Sequence, residues 1–161
     1  SAALSVRLPG WRLVDDFRPP LKDSWFGTFS FEVAEEKSEG WQFATSDIFE
    51  DPDRLQRIEA TTEYLIYDAL GLYDFSLTFY ARMRDVEQVA ERITFEFRTG
   101  NEDWTTLPTK LTWTQCDDEH VEARLSAQEG RFLGDGKLRI TVFGGEAEYP
   151  QLSYLEIQGW R

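Results

Sequence analysis

Arginine and tyrosine side chains stand at alternate positions of strand-like segments, where they would share one face of a sheet. In the run GLYDFSLTFYARMR (71–84), Tyr80 and Arg82 fall on the same side. A guanidinium group binds a carboxylate through a bidentate planar fork, and a tyrosine ring stacks against a sugar. Uronic acids or pyruvylated sugars would satisfy both groups. We therefore expect a sheet-face cleft for an acidic sugar polymer, formed by Tyr80, Arg82, Glu96, Arg98 and Arg139.

The outward arginines also have a structural interpretation, in which they pair with carboxylates on neighbouring strands. Glu96 and Glu122 are suitably placed for such a cross-strand ladder. An exposed ion pair of this kind contributes only ~0–1 kcal/mol. That role alone would tolerate lysine, whereas Arg82, Arg98, Arg124 and Arg139 are all arginine. The sequence leaves the ladder and the acidic-sugar cleft as alternatives.

A second group of candidate residues lies in or beside polar loops. Phe49 lies in SDIFEDPDRLQR (46–57) and Tyr149 in EAEYP (146–150), where an aromatic ring has little core to join. Sugars are bound by rings stacked on their CH faces and by polar groups that hold their hydroxyls. We expect a loop-edge site that competes with the cleft and is formed by Phe49, Asp51, Arg54, Arg57, Tyr73 and Tyr149.

Catalytic chemistry has less support. A glycosidase needs two carboxyl groups set roughly 5–10 Å apart across a bond, and sequence spacing does not show such a pair. No nucleophile motif or phosphate-binding loop is present. Cys116 and His120 are the only cysteine and the only histidine, which excludes an internal disulfide and a histidine-rich metal site. We expect no enzymatic activity.

Charge limits the possible partners. The 161 residues include 30 acidic and 17 basic ones, which gives a formal net charge of −13. A nucleic-acid-binding domain usually has the opposite sign. No run approaches about 18 apolar residues, so no membrane span is expected. The first ten residues, SAALSVRLPG, do not resemble a signal peptide, so a mature or trimmed start is expected.

Short alternating segments, separated by turn residues, must position these side chains. The alternation predicts strands near 28–33, 41–45, 63–68, 75–84, 92–99, 110–115, 119–126, 137–143 and 153–158. Segment 84–91 could form a helical turn or a polar loop. Many short strands without a helical period predict an all-β sandwich of two antiparallel sheets, with residues 1–161 as one domain.

The order of these strands and turns is familiar. The sequence EYLIY…GLYDFSLTFYA…ITFEFRTGNEDWTTL…KLRITV…PQLSYLEIQG resembles the galactose-binding-like jelly rolls that serve as carbohydrate-binding modules. Such domains often have a turn of the Ser-x-Asp-Gly-x-Trp type, which is similar to TGNEDW (99–104). The likeness runs from about Asp15 to Gly159.

This resemblance implies a β-sandwich jelly roll that binds a polysaccharide without cleaving it and targets an attached glycoside hydrolase or polysaccharide lyase. It implies a location outside the cell or on its surface. It also implies a structural Ca²⁺ between the first and last strands, with Asp16 and Glu156 as the best ligands and Asp15 as a weaker one. Because fold does not fix function, a protein-interaction or structural domain of a larger cell-surface assembly is the alternative.

Overall fold

The computed structural model describes residues 10–17, 34–44, 54–68, 73–83, 85–99, 103–106, 111–117, 119–132 and 136–160. Within these ranges the strands are β1 (Gly10–Asp15), β2 (Glu36–Lys37), β3 (Trp41–Ala44), β4 (Arg54–Arg57), β5 (Glu63–Asp68), β6 (Tyr73–Arg82), β7 (Ile93–Thr99), β8 (Thr105–Thr106), β9 (Thr112–Gln115), β10 (His120–Phe132), β11 (Gly136–Val142) and β12 (Gln151–Trp160). A 3₁₀ helix spans Val86–Glu91. No helix in the described ranges is long and apolar enough to span a membrane.

The strands form two antiparallel sheets. The seven-stranded sheet has the order β3-β4-β12-β6-β10-β9, with β1 also paired to β12. One side of strand β12 pairs with β6. The other side pairs with β4 near the start of β12 and with β1 along the rest of β12. The five-stranded sheet has the order β2-β5-β11-β7-β8. The predicted all-β sandwich of two antiparallel sheets is confirmed.

The inner faces of the two sheets share one aromatic-rich core. The predicted inward residues of β6 (Phe75, Leu77, Phe79 and Ala81) and Met83 are all at most 3% exposed. Phe79 of β6 meets Phe95 of β7 edge to face, with ring centroids 5.1 Å apart, and Trp113 packs on both rings. Because neighbouring residues of a strand point to opposite faces, a buried Phe79 places Tyr80 on the outer face.

The predicted strands at 41–45, 63–68, 75–84, 92–99, 110–115, 119–126, 137–143 and 153–158 are confirmed, with shifted ends. The helical alternative for 84–91 is also confirmed. The prediction of a continuous polar loop over 46–57 is wrong at its end, because Arg54–Arg57 is strand β4, with Leu55 and Arg57 fully buried. The predicted strand at 28–33 lies outside the described residues.

Candidate functional site

An open groove of about 510 Å³ lies on the outer face of the seven-stranded sheet. Strands β6, β10 and β12 and the turn between β9 and β10 supply its walls. The lining residues are Tyr80, Cys116, Asp117, His120, Ser153 and Tyr154. We call this feature the Tyr80–Tyr154 groove.

Two tyrosine rings form the centre of the groove. Tyr80 and Tyr154 are register partners on β6 and β12, and their ring centroids lie 5.8 Å apart at an interplanar angle of 57°. The pairing of β12 with β6 is irregular between Leu152 and Tyr154, as in a β-bulge, and Ser153 occupies that irregularity. The Ser153 hydroxyl donates to the Tyr80 carbonyl at 3.1 Å. Bulges commonly re-aim side chains beside binding sites, and here both rings stay half-buried on the outer face.

The turn between β9 and β10 forms one end of the groove. The Asp117 carboxylate accepts hydrogen bonds from the backbone N–H groups of Glu119 and His120 at 2.8 and 2.9 Å. The His120 Nδ1 atom lies 2.8 and 2.9 Å from the two Asp117 oxygens. The backbone hydrogen bond from Glu119, together with His120, lowers the pKa of Asp117. Asp117 therefore presents an ionised acceptor and fixes the orientation of the imidazole.

Ion pairs surround the rings. Arg82 donates to the Glu119 carboxylate through Nε at 3.0 Å, and its Nη2 lies 2.9 Å from the same oxygen. Arg124 pairs with Glu122, and the hydrogen bond from the Tyr80 hydroxyl to Glu122 raises the pKa of Tyr80. Glu122 and Arg124 lie on the same strand, so their pair is not part of the predicted cross-strand ladder. Arg82 pairs with Glu119 and not with either predicted carboxylate.

Glu156, one of the two best calcium candidates, is also part of an ion pair. Its carboxylate accepts from Arg12 Nε at 2.8 Å and from the Tyr154 hydroxyl at 2.7 Å. The hydrogen bond from Tyr154, assisted by Arg12, lowers the pKa of Glu156. The first and last strands do pair, but Val14 and not Asp16 lies opposite Glu156.

The calcium prediction has little support from the described residues. No group of three or more His, Cys, Asp or Glu side chains in the described ranges is arranged to hold a metal. Ca²⁺ takes six to eight oxygen ligands. Asp15, the weaker candidate, is buried and accepts hydrogen bonds from Tyr67 and from the Phe17 backbone. Bound calcium therefore stays a prediction, with Asp16 and Glu156 as its named ligands.

The predicted sheet-face cleft is divided between two surfaces. Tyr80 and Arg82 lie on β6 of the seven-stranded sheet, whereas Glu96, Arg98 and Arg139 lie on β7 and β11 of the five-stranded sheet. Since the two sheets face each other through the core, these outer faces point in opposite directions. The expectation of one cleft from these five residues is wrong for this reason, and the binding role of each residue stays a prediction.

On the five-stranded sheet the three residues form a packed cluster with Trp104. Arg139 donates to Glu96 at 2.7 Å. The guanidinium carbons of Arg98 and Arg139 lie 4.9 and 4.4 Å from the Trp104 ring centroid. These cation–π contacts occupy the arginines with an internal partner.

Arg57, a candidate of the loop-edge site, is fully buried. Its Nη1 donates to the Thr61 carbonyl at 2.8 Å, and Nη2 donates to the carbonyls of Gly144, Glu146 and Tyr149 at 2.6, 3.0 and 3.2 Å. Burial lowers the pKa of Arg57. The prediction that Arg57 contacts a ligand at a loop edge is corrected, because the side chain instead ties two turns together.

The other loop-edge residues that the structure describes do not lie together either. Phe49 and Asp51 lie outside the described residues. The Arg54 side chain donates a hydrogen bond to Gln151. Gln151 is the backbone register partner of Arg82 at the end of β6, and the half-buried Tyr149 lies two residues before Gln151. Tyr73 begins β6, so it lies roughly 30 Å from Arg82 at about 3.3 Å per residue.

Sequence reasoning missed Tyr154, Ser153, Asp117, Glu119 and His120 as site residues. The alternation of SYLEIQ (153–158) could have placed Tyr154 on an outer face, since Leu155 and Ile157 are buried. The spacing of Asp117 and His120 fits a turn in which a carboxylate accepts backbone N–H groups. Nothing in the sequence indicates that these two segments flank the same strand.

Comparisons with known proteins leave the family open. No family model matches the chain, and no curated protein matches it. Among solved structures, the chain is similar to the cleaved adhesin domain of Lys-gingipain from Porphyromonas gingivalis, with a TM-score of 0.32 and 13% identity over 93% of this chain and 95% of that chain. A likeness this low carries no argument about function. The function of the groove is therefore argued from its own residues.

Proposed function

We propose that this protein is a non-catalytic carbohydrate-binding module and that the Tyr80–Tyr154 groove is its binding site. The observation that carries the proposal is the pair of neighbouring tyrosine rings in an open groove on an outer sheet face. Aromatic rings bind sugars through their CH faces, while polar groups at the rim hold the hydroxyls. Asp117, His120 and Ser153 provide such polar groups.

A non-catalytic role is supported by the direction of the pKa shifts of two carboxylates at the groove. A glycosidase needs a carboxylic acid whose pKa is raised so that it can donate a proton. The carboxylates of Asp117 and Glu156, which lie in and beside the groove, have lowered pKa values. Asp15 has a raised pKa, but it is fully buried. A polysaccharide held in the groove would therefore meet Asp117 and Glu156 as ionised acceptors and not as proton donors.

The biological role follows from binding without cleavage. A module of this type raises the local concentration of its polysaccharide at an attached catalytic domain. We propose that the parent protein is a glycoside hydrolase or polysaccharide lyase that acts outside the cell.

A protein-interaction domain is the alternative function. A protein partner would favour a contiguous exposed apolar patch. Among the described residues, the exposed large hydrophobic side chain is Ile58, at 51%. A groove with one pair of tyrosine rings and polar groups at its rim fits a sugar better than it fits a protein surface.

Affinity gel electrophoresis through a panel of polysaccharides tests the proposal. The wild-type protein is expected to be retarded by at least one polymer, and Tyr154→Ala is expected to abolish the retardation. Trp104→Ala is the matched control, because it removes an aromatic ring from the outer face of the other sheet. Retardation that survives Tyr154→Ala but is lost in Trp104→Ala would place the site on the five-stranded sheet and contradict the proposal. Release of reducing sugar by the isolated protein would contradict a non-catalytic role.

A further inference from the structure

We infer that the polysaccharide bound in the Tyr80–Tyr154 groove is neutral and has no uronic-acid carboxylates. This inference rests on the proposed function and names its ligand class. It departs from the sequence-based expectation of an acidic polymer, because that expectation required arginines that are free to receive carboxylates.

The basic side chains near the rings already have carboxylate partners. Arg82 donates to Glu119, and the His120 imidazole contacts Asp117. Arg124, which lies beside the Tyr80 hydroxyl, pairs with Glu122. A uronic acid would have to displace one of these protein carboxylates and would then face the displaced group at close range.

The surroundings of the groove repeat this pattern. Arg12 is paired with Glu156 beside the Tyr154 hydroxyl. The groove face therefore supplies little excess positive charge to balance the formal charge of −13 on the whole chain. Within the screening length of about 8 Å at physiological salt, an anionic polymer would be repelled.

The groups that remain are suited to hydroxyls. The tyrosine rings carry no preference for an anion. Asp117 accepts from two backbone N–H groups through Oδ1, and its Oδ2, which contacts only the His120 ring among the described residues, keeps a lone pair that suits a hydroxyl donor. A charged acceptor forms stronger hydrogen bonds with hydroxyl groups but repels a second carboxylate. The groove thus discriminates against acidic sugars by charge and binds neutral ones by stacking.

Two groups of polymers in the same gels test the ligand class. Galactomannan, xyloglucan and hydroxyethylcellulose are the neutral probes, and polygalacturonate and alginate are the acidic ones, each at low and high salt. We expect retardation by a neutral polymer that is insensitive to salt and is lost in Tyr154→Ala. Retardation by acidic polymers alone, weakening as salt rises, would overturn the inference and leave the proposed function standing. No retardation by any polymer would overturn the proposed function itself and this inference with it.

A variant that removes one negative charge beside the groove tests the ligand class independently. Glu119→Gln removes the partner of Arg82 and one negative charge without changing the rings. If charge pairing excludes acidic sugars, this variant should bind polygalacturonate roughly two- to fivefold more tightly than wild type. Equal, measurable retardation of both proteins by polygalacturonate would contradict the inference. Thermal unfolding of the variant checks that the fold is retained.

Discussion

Asp15 and Tyr67 share a hydrogen bond in the interior of the protein. The Tyr67 hydroxyl donates to Asp15 Oδ2 at 2.7 Å, and the Phe17 backbone N–H donates to Oδ1 at 2.9 Å. The side chains of Asp15 and Tyr67 are both fully buried. Burial raises the pKa of Asp15 from 3.8 to about 6, although both hydrogen bonds act in the opposite direction. The hydrogen bonds therefore only partly offset the loss of water.

This pair predicts a pH dependence of stability. The raised pKa means that the folded protein binds this proton more tightly than the unfolded chain. The free energy of unfolding should therefore rise as the pH falls from above 6 towards 3.8, by on the order of 3 kcal/mol from Asp15 alone. Urea unfolding of wild type and Asp15→Asn across this range measures the effect, because asparagine does not titrate. Parallel pH profiles of the two proteins would show that Asp15 titrates normally.

We expect Arg57 to contribute to the stability of the fold and not to ligand binding. Arg57→Ala would remove a fully buried side chain and its hydrogen bonds to the carbonyls of Thr61, Gly144, Glu146 and Tyr149. We expect a loss of roughly 3 kcal/mol in the free energy of unfolding, measured with urea. Arg54→Ala, on the same strand but half-buried, is the control and should cost clearly less. If the Arg57→Ala protein is as stable as wild type but no longer binds any polysaccharide, Arg57 is part of the binding site and this prediction is wrong.

The inner faces of the strands were predictable because their cause is local. Alternation along a single strand is enough to identify Phe79 as inward and Tyr80 as outward, whatever the neighbouring strands are. Alternation also predicts the all-β class, since short apolar segments of this type have to be covered by a second sheet.

The composition of each outer face was not predictable, because strand neighbours are set by long-range pairing. Arg82 and Arg139 follow the same local pattern, yet their strands lie in different sheets. Tyr154 becomes a neighbour of Tyr80 only when β12 pairs with β6. Arg57 differs from the prediction in another way: its charge suggested exposure, whereas its side chain is buried and its two terminal nitrogens donate to carbonyls of two distant turns.

The contact between Trp104 and Arg98 on the five-stranded sheet should give a measurable coupling energy in protein stability. The guanidinium carbon lies 4.9 Å from the ring centroid, a distance at which a cation–π contact contributes about 0.5–1 kcal/mol. A double-mutant cycle of Trp104→Leu and Arg98→Met, followed by urea unfolding, should give a coupling energy of that size. Arg98 is preferable to Arg139, whose removal would also leave Glu96 without its ion pair. A coupling energy near zero would mean that the two side chains do not interact in solution.

Cys116 offers a direct test of where the ligand lies. It is the only cysteine of the chain, it is exposed, and it lines the Tyr80–Tyr154 groove. Partial loss of water around the thiol, with the negative charges of Glu122 and Asp117 nearby, raises its pKa. Modification should therefore be followed at mildly alkaline pH, where more thiolate is present. We expect that a saturating neutral polysaccharide slows maleimide modification of Cys116 severalfold, as measured by mass spectrometry over time. The same polymer should give no protection in Tyr154→Ala, in which the thiol is unchanged but binding is lost. Full reactivity of Cys116 in wild-type protein that is demonstrably retarded by the polymer would place the bound sugar on another surface.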